Sequence, residues 1–311
     1  MAILAILFPV LAVSLAGYIT LSLRWFNRDD TDALSRVTFN ILIPCLLFVS
    51  TARSDTNLGE SGQFLTAYYS AVLVVYGLGI IVGRLWFAYN ARQQSVFAMG
   101  CAYSNTTILG IPLVAQALGE AALLPLFLII SIQNLVMFTI GTVSAEWGHL
   151  STDSFFKVFL RMVKQLLSSP ITASLIAGLV CNIAGIPVWD PLFNSIEILS
   201  RAAVPTSLFV LGMSLYHYKL RDQAVPATFM TIINCFLLPI LVWIAMFRIF
   251  EVDPLWANAG VLASAMPVGI SAYVFAKRYK VGHASVAAGS LLSALLSPIT
   301  LSVVLILLGI A

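Results

Sequence analysis

Apolar residues run along this chain in blocks of roughly twenty, broken by short clusters of Gly, Pro, Asn, Asp, Arg or Lys. A hydrocarbon core about 30 Å thick takes roughly 20 apolar residues per helix. The blocks therefore predict ten membrane-spanning helices, at about 2–23, 32–52, 63–88, 96–118, 121–145, 169–186, 196–216, 226–250, 258–276 and 284–310. Composition removes the soluble alternative, because 60% of the 311 residues are hydrophobic and only 9% are charged. The opening stretch has no basic segment before its apolar run and reads as a retained first helix rather than a cleaved signal.

Charge sets the expected orientation. If the N-terminus lies outside, the odd-numbered loops and their flanks hold 12 of the 16 Lys and Arg residues, from Arg24 and Arg28 through Lys277, Arg278 and Lys280. Basic residues favour the cytoplasmic side, so both termini are expected to be non-cytoplasmic, with a bacterial inner or plasma membrane as the setting. The net charge of +3 marks topology and no nucleic-acid partner. The longest loop carries Lys157, Arg161 and Lys164 among Phe155, Phe156 and Phe159, and predicts an amphipathic linker on the inner leaflet.

A shift of about 160 to 165 positions superposes local features of the two halves. Leu34-Ser35-Arg36 with Pro44, Leu47 and Phe48 answers Leu199-Ser200-Arg201 with Pro205, Leu208 and Phe209. Five spans per half is an odd number, so the second copy must be inserted upside down. The expected fold is thus an all-α polytopic membrane protein, with ten transmembrane helices as two inverted five-helix repeats and broken, crossing helices four and nine. Residues 1–145 form the first repeat, 146–168 the cytoplasmic linker and 169–311 the second repeat.

Helices four and nine are the least regular spans. In helix nine Pro267 lacks an N–H and Gly269 relaxes the backbone, while in helix four Ser104, Asn105, Thr106 and Thr107 fall at the midpoint. Unpaired backbone groups in lipid cost several kcal/mol each, so paired breaks imply a buried or water-lined site at mid-membrane. Half-helix N-termini present N–H groups and partial positive charge, which suits a carboxylate. An isolated proline would more simply be a packing feature; two breaks at corresponding positions point instead to a site.

These segments, SNTTILGIPLV from Ser104 and AMPVGISAYVFAKRY from Ala265, resemble the auxin efflux carrier family, which includes plant PIN-type carriers and bacterial malonate or dicarboxylate carriers. The resemblance implies a scaffold and a transport domain, each drawn from both repeats, and a possible homodimer. By that similarity Asn105 binds substrate and Pro267 marks the ninth-helix crossing; Ser104, Thr106, Thr107, Pro267, Val268 and Gly269 are candidate substrate-binding residues beside Asn105, with the breaks themselves at Ser104, Asn105, Pro267 and Gly269. Plant members carry Pro where this chain has Ser104, and no Asp or Glu falls centrally in any span.

Other polar residues read less specifically. Asn40, Gln133, Asn134 and Asn234 are amides within spans that must face protein or water. Arg36 and Arg201 are gate candidates at opposite mouths, against the commoner role of reaching lipid phosphates. The four cysteines and three histidines show no ligand spacing, so neither a metal nor a cofactor is expected. No nucleophile–base pair or ATP-binding motif appears, and the expectation is no enzyme. The expected function is secondary transport of small organic anions, with H+, Na+ or no coupling ion left open. A sodium-coupled carrier of the bile-acid symporter type and a non-transporting membrane sensor are the alternatives.

Overall fold

The computed structural model describes residues 2–52, 61–146, 160, 163–164, 168–216 and 223–310. Every regular element among them is helical: α1 (Ala2–Ser22), α2 (Arg28–Ala52), α3 (Ser61–Leu85), α4 (Ala91–Ala102), α5 (Thr106–Leu118), α6 (Glu120–Ala145), α7 (Pro170–Ile183), α8 (Asp190–Arg201 and Ala203–Tyr216, joined at Ala202), α9 (Ala224–Ile249), α10 (Pro254–Ser264), α11 (Ile270–Tyr279) and α12 (His283–Leu307). Six of these, α2, α3, α6, α8, α9 and α12, are long and apolar enough to cross a membrane. Large apolar side chains such as Val74, Ile81, Ile240, Leu295 and Ile299 are exposed along them, as lipid contact requires. Most of the linker expected over 146–168 lies outside the described residues.

Local chemistry explains the helix ends. Asn27 and Asp30 form a reciprocal capping box at the start of α2, Asn90 and Gln93 form another at α4, and Asp253 caps α10 just ahead of Pro254. These caps, and the polar first turns of α2 and α8, start the second and seventh spans at Arg28 and Asp190 rather than at 32 and 196. An apolar-run criterion misses such turns because they are amphipathic. Of the four wide, π-helical turns among the described residues, three, Thr38–Leu42, Thr106–Gly110 and Ile233–Leu237, end two residues before a proline, namely Pro44, Pro112 and Pro239; the fourth, Ala245–Ile249, does not. A proline ring crowds the carbonyl four residues back and offers it no N–H, so the preceding turn widens.

Packing divides the helices into two groups. In the first, α1 lies on α8 and α7 on α2, with α2 also against α8. A Cβ added at Gly17 would sit 2.1 Å from the Phe209 carbonyl oxygen; one added at Gly178 would sit 2.9 Å from the Phe48 carbonyl oxygen and 2.0 Å from Thr51 Oγ1. Only glycine allows so close an approach of helix backbones. Gly17 to Gly178 and Phe48 to Phe209 are the same step of 161 residues, so one contact is made twice. In the second group α3 lies on α4, α4 on α6 and α9 on α12, around a core that includes Phe64, Tyr68, Met99, Phe127 and Phe275. Helix α5 belongs to the second group's chain path but rests against α1 and α8 of the first.

Candidate functional site: the crossing of two broken helices

Helix α4 ends at Ala102, and the chain runs extended through Tyr103 before α5 begins at Thr106. Helix α10 ends at Ser264, and the chain passes through Met266, Pro267 and Val268 to Gly269, whose extended backbone opens α11. The two interruptions meet in an antiparallel bridge between Ser104 and Val268. Asn105 N–H donates to the Pro267 carbonyl and Gly269 N–H to the Tyr103 carbonyl, both at 2.8 Å. Each break thus supplies the partners the other lacks, which is how irregular backbone survives inside an apolar protein. Gly269 is required here by space: an added Cβ would lie 2.6 Å from the Tyr103 ring and 3.1 Å from the Ser104 carbonyl oxygen.

Side chains from three neighbouring helices complete the hydrogen bonding. From α6, Gln133 Nε2 donates to the Ser104 carbonyl at 3.1 Å while its Oε1 accepts from the Thr106 hydroxyl at 2.5 Å. From α9, Asn234 Nδ2 donates to the Cys101 carbonyl and reaches Ser104 Oγ, each at 3.3 Å. From α12, Ser293 Oγ accepts the Val268 N–H at 3.0 Å. Ser104 Oγ itself donates to the Ser264 carbonyl at 2.8 Å, joining the ends of α4 and α10. All of these side chains are buried.

The other side of the crossing is more open. Asn105 uses Oδ1 to accept the Ile108 N–H at 3.3 Å, and among the described residues its Nδ2 has no acceptor. Thr107, Ile108, Ile270 and Ser271, in the first turns of α5 and α11, are half-buried. The N–H groups of Thr107, Ile270 and Ser271 have no hydrogen-bond partner among the described residues. Beside them, Tyr103 Oη donates to Asn134 Oδ1 at 2.7 Å and also lies against Ser271. Asn134 is the one exposed residue between Ala122 and Glu146 in the otherwise covered, apolar α6. An amide exposed at the centre of a membrane helix is costly in hydrocarbon, so this face is better matched to water or a polar solute than to lipid tails.

Two half-helix N-termini, three free N–H groups, the amides of Asn105 and Asn134 and the Ser271 hydroxyl therefore share one region that, among the described residues, contains no carboxylate. Such a set offers donors and partial positive charge, and suits an anion.

The sequence-derived residues distribute as follows. Ser104, Asn105, Thr106, Pro267, Val268 and Gly269 come together at the crossing, with Thr107 at its edge. Ser104 and Thr106 point into the interhelical network, and Thr106 and Thr107 lie in the wide first turn of α5 rather than in the break itself. Arg36 and Arg201 stand away from the crossing, well inside α2 and α8 because both helices begin earlier than the apolar pattern indicates. Arg36 is exposed, and Arg201 pairs with Glu197 on its own helix at 2.9 Å. Asn134 went unmarked as a site residue; its one signal in the sequence was an amide at the centre of an apolar block. Two cavities of about 350 Å³ lie elsewhere, one at the ends of α4, α9 and α12 beside Gln93, Gln223 and Ser285, the other an apolar groove between α9 and α12.

The sequence matches a family described as membrane transport protein over residues 2–305. A protein of Rhizobium meliloti (strain 1021) named "Putative malonate transporter" is 24% identical over 300 residues, covering 96% of this chain and 94% of the relative. "Uncharacterized transporter YfdV" of Escherichia coli (strain K12) is 22% identical over 290 residues, covering 88% of each. "Auxin efflux carrier component 5" of Arabidopsis thaliana is 21% identical over 315 residues, covering 87% of this chain and 86% of the plant protein.

Proposed function

The chain belongs to the membrane transport protein family, the auxin efflux carrier family, and from that premise we propose that it is a secondary transporter of small mono- or dicarboxylates of the malonate class. Its relatives are transporters, not enzymes. The substrate carboxylate lies at the crossing of α4–α5 with α10–α11, held by the Asn105 and Asn134 amides and by the free N–H groups opening α5 and α11. The observation that carries this reading is the concentration of uncommitted donors at the crossing, with no acid beside them among the described residues.

The mechanism follows from an inverted repeat. The twice-made glycine-to-carbonyl contact at a constant step of 161, and a bridge joining positions 104 and 268 at nearly the same step, support ten spans in two inverted five-helix copies. Repeats of opposite orientation have two packings of similar energy that open to opposite sides, the requirement for alternating access. The group of α1, α2, α7 and α8 serves as scaffold, and the group carrying the crossing moves against it. Arg36 and Arg201, near opposite mouths, attract the anion. The bias of basic residues supports an orientation with both termini outside a bacterial plasma membrane.

Uptake of labelled malonate, malate and an aromatic monocarboxylate into sealed proteoliposomes, with and without Na+ and pH gradients, tests this function. Saturable flux of at least one acid is expected, with the dicarboxylates preferred. Failure of every acid to move under any gradient, with folded protein verified in the bilayer, overturns it.

A further inference from the structure

We propose that Asn234 is a positioning residue for the substrate site, acting through the Ser104 hydroxyl to lock the crossing in register. The inference rests on the reading of the crossing as that site. Asn234 lies in the wide turn Ile233–Leu237, two residues ahead of Pro239, so its side chain emerges where an ordinary α-helical turn would place it differently. It is fully buried on α9, touches none of the uncommitted donors of the site and yet reaches both the α4 terminus and the bridge residue. The relay runs from Asn234 Nδ2 to Ser104 Oγ, and from Ser104 Oγ to the Ser264 carbonyl. One amide thereby ties the carbonyl ends of α4 and α10 together from behind, while Gln133 holds Ser104 from the α6 side.

Ser104 N–H makes no hydrogen bond among the described residues, because the bridge is closed by Asn105 N–H and Gly269 N–H on either side. A proline at 104 therefore loses no backbone bond. Its ring fixes φ at about −65°, which a hydroxyl relay does not, and it removes the group through which Asn234 acts. In this chain the register of the crossing depends on a side-chain relay that a proline at the same position makes unnecessary. Asn105, one residue on, takes its orientation from whichever device is present.

A double-substitution cycle tests the relay. Asn234→Ala in the native background removes a donor from two buried acceptors, and malonate flux is expected to fall at least about tenfold, chiefly through KM, with a lower melting temperature. In the Ser104→Pro background the same substitution is expected to change flux less than about threefold. Asn234→Asp adds a readout that packing alone does not move: the protonated acid can donate as the amide does and the carboxylate cannot, so its flux rises as pH falls while that of Ser104→Pro/Asn234→Asp does not. Equal losses from Asn234→Ala in both backgrounds overturn the inference, as does a pH profile for Asn234→Asp that Ser104→Pro leaves unchanged. The same cycle read by melting temperature needs no substrate. Coupling absent there with transport intact refutes the relay alone, whereas no transport by folded native protein refutes the substrate reading instead.

Discussion

Replacing Gln133 by leucine tests whether the crossing is held by side chains as well as by its own bridge. Gln133 is 3% exposed and makes two bonds across the break, one to the Ser104 carbonyl and one to the Thr106 hydroxyl. Leucine matches its bulk but bonds to neither group. The Thr106 hydroxyl can turn to its own helix, as threonines in membrane helices commonly do, so its share of the loss is small. The Ser104 carbonyl keeps the Thr106 N–H at 2.9 Å, so it loses one of its two donors, and a lost buried hydrogen bond of this kind costs about 0.5–1.5 kcal/mol. At roughly 2–4 °C per kcal/mol for a large domain, the variant should melt about 1–6 °C below the native protein. Cys101 and Cys235 are buried beside the crossing, so unmasking of thiols to a maleimide dye during heating reports on this region directly. Gln133→Glu, whose protonated form can still donate, should recover part of the loss at low pH. A Gln133→Leu protein that melts within a degree of native, with native thiol protection, would refute the reasoning.

Gly178→Ala and Gly17→Ala each drive a methyl into a facing helix at under 2.2 Å, and each should destabilise by about 1–3 kcal/mol through overpacking, seen as a lower melting temperature in detergent. If the two contacts are repeats of one design, the losses should be similar; a large loss in one and none in the other counts against that. Asn134→Leu should keep the native melting temperature within a degree or two, since the Tyr103 hydroxyl that loses Asn134 Oδ1 keeps Ser271 beside it, but should lose most malonate uptake with the exposed amide. Arg201→Gln should leave stability unchanged, its pair with Glu197 being largely exposed, and should raise KM only at low salt if the arginine attracts the anion.

Much of the helical layout was legible because apolar runs of membrane length are hard to misread: the six longest helices coincide with predicted spans. The breaks were legible for a local reason, since Pro267 with Gly269, and Ser104 to Thr107, weaken a helix wherever they occur. Their depth was not. Nothing in a linear pattern says that Ser104 pairs with Val268, because that register is set by tertiary contact across 164 residues. The polar first turns of α2 and α8 were hidden by amphipathicity, which displaced Arg36 and Arg201 from the helix starts. Asn134 and Asn234 look alike in sequence, both being amides inside apolar blocks. Only the neighbours distinguish them: α9 turns Asn234 inward on to Ser104, whereas α6 leaves Asn134 exposed beside Tyr103.

The central claim is that an organic anion is held at the crossing by the Asn105 amide, and concentration-dependent uptake of labelled malonate by native and Asn105→Ala protein in sealed proteoliposomes tests it most directly. Asn105→Ala removes the one side-chain amide carried by the break itself, together with its bond to the Ile108 N–H. The account predicts saturable uptake by the native protein and a loss of at least about tenfold in the variant, at equal protein incorporation, in line with a hydrogen bond to a charged group. Uptake by Asn105→Ala that matches the native curve in both KM and maximal rate would contradict it.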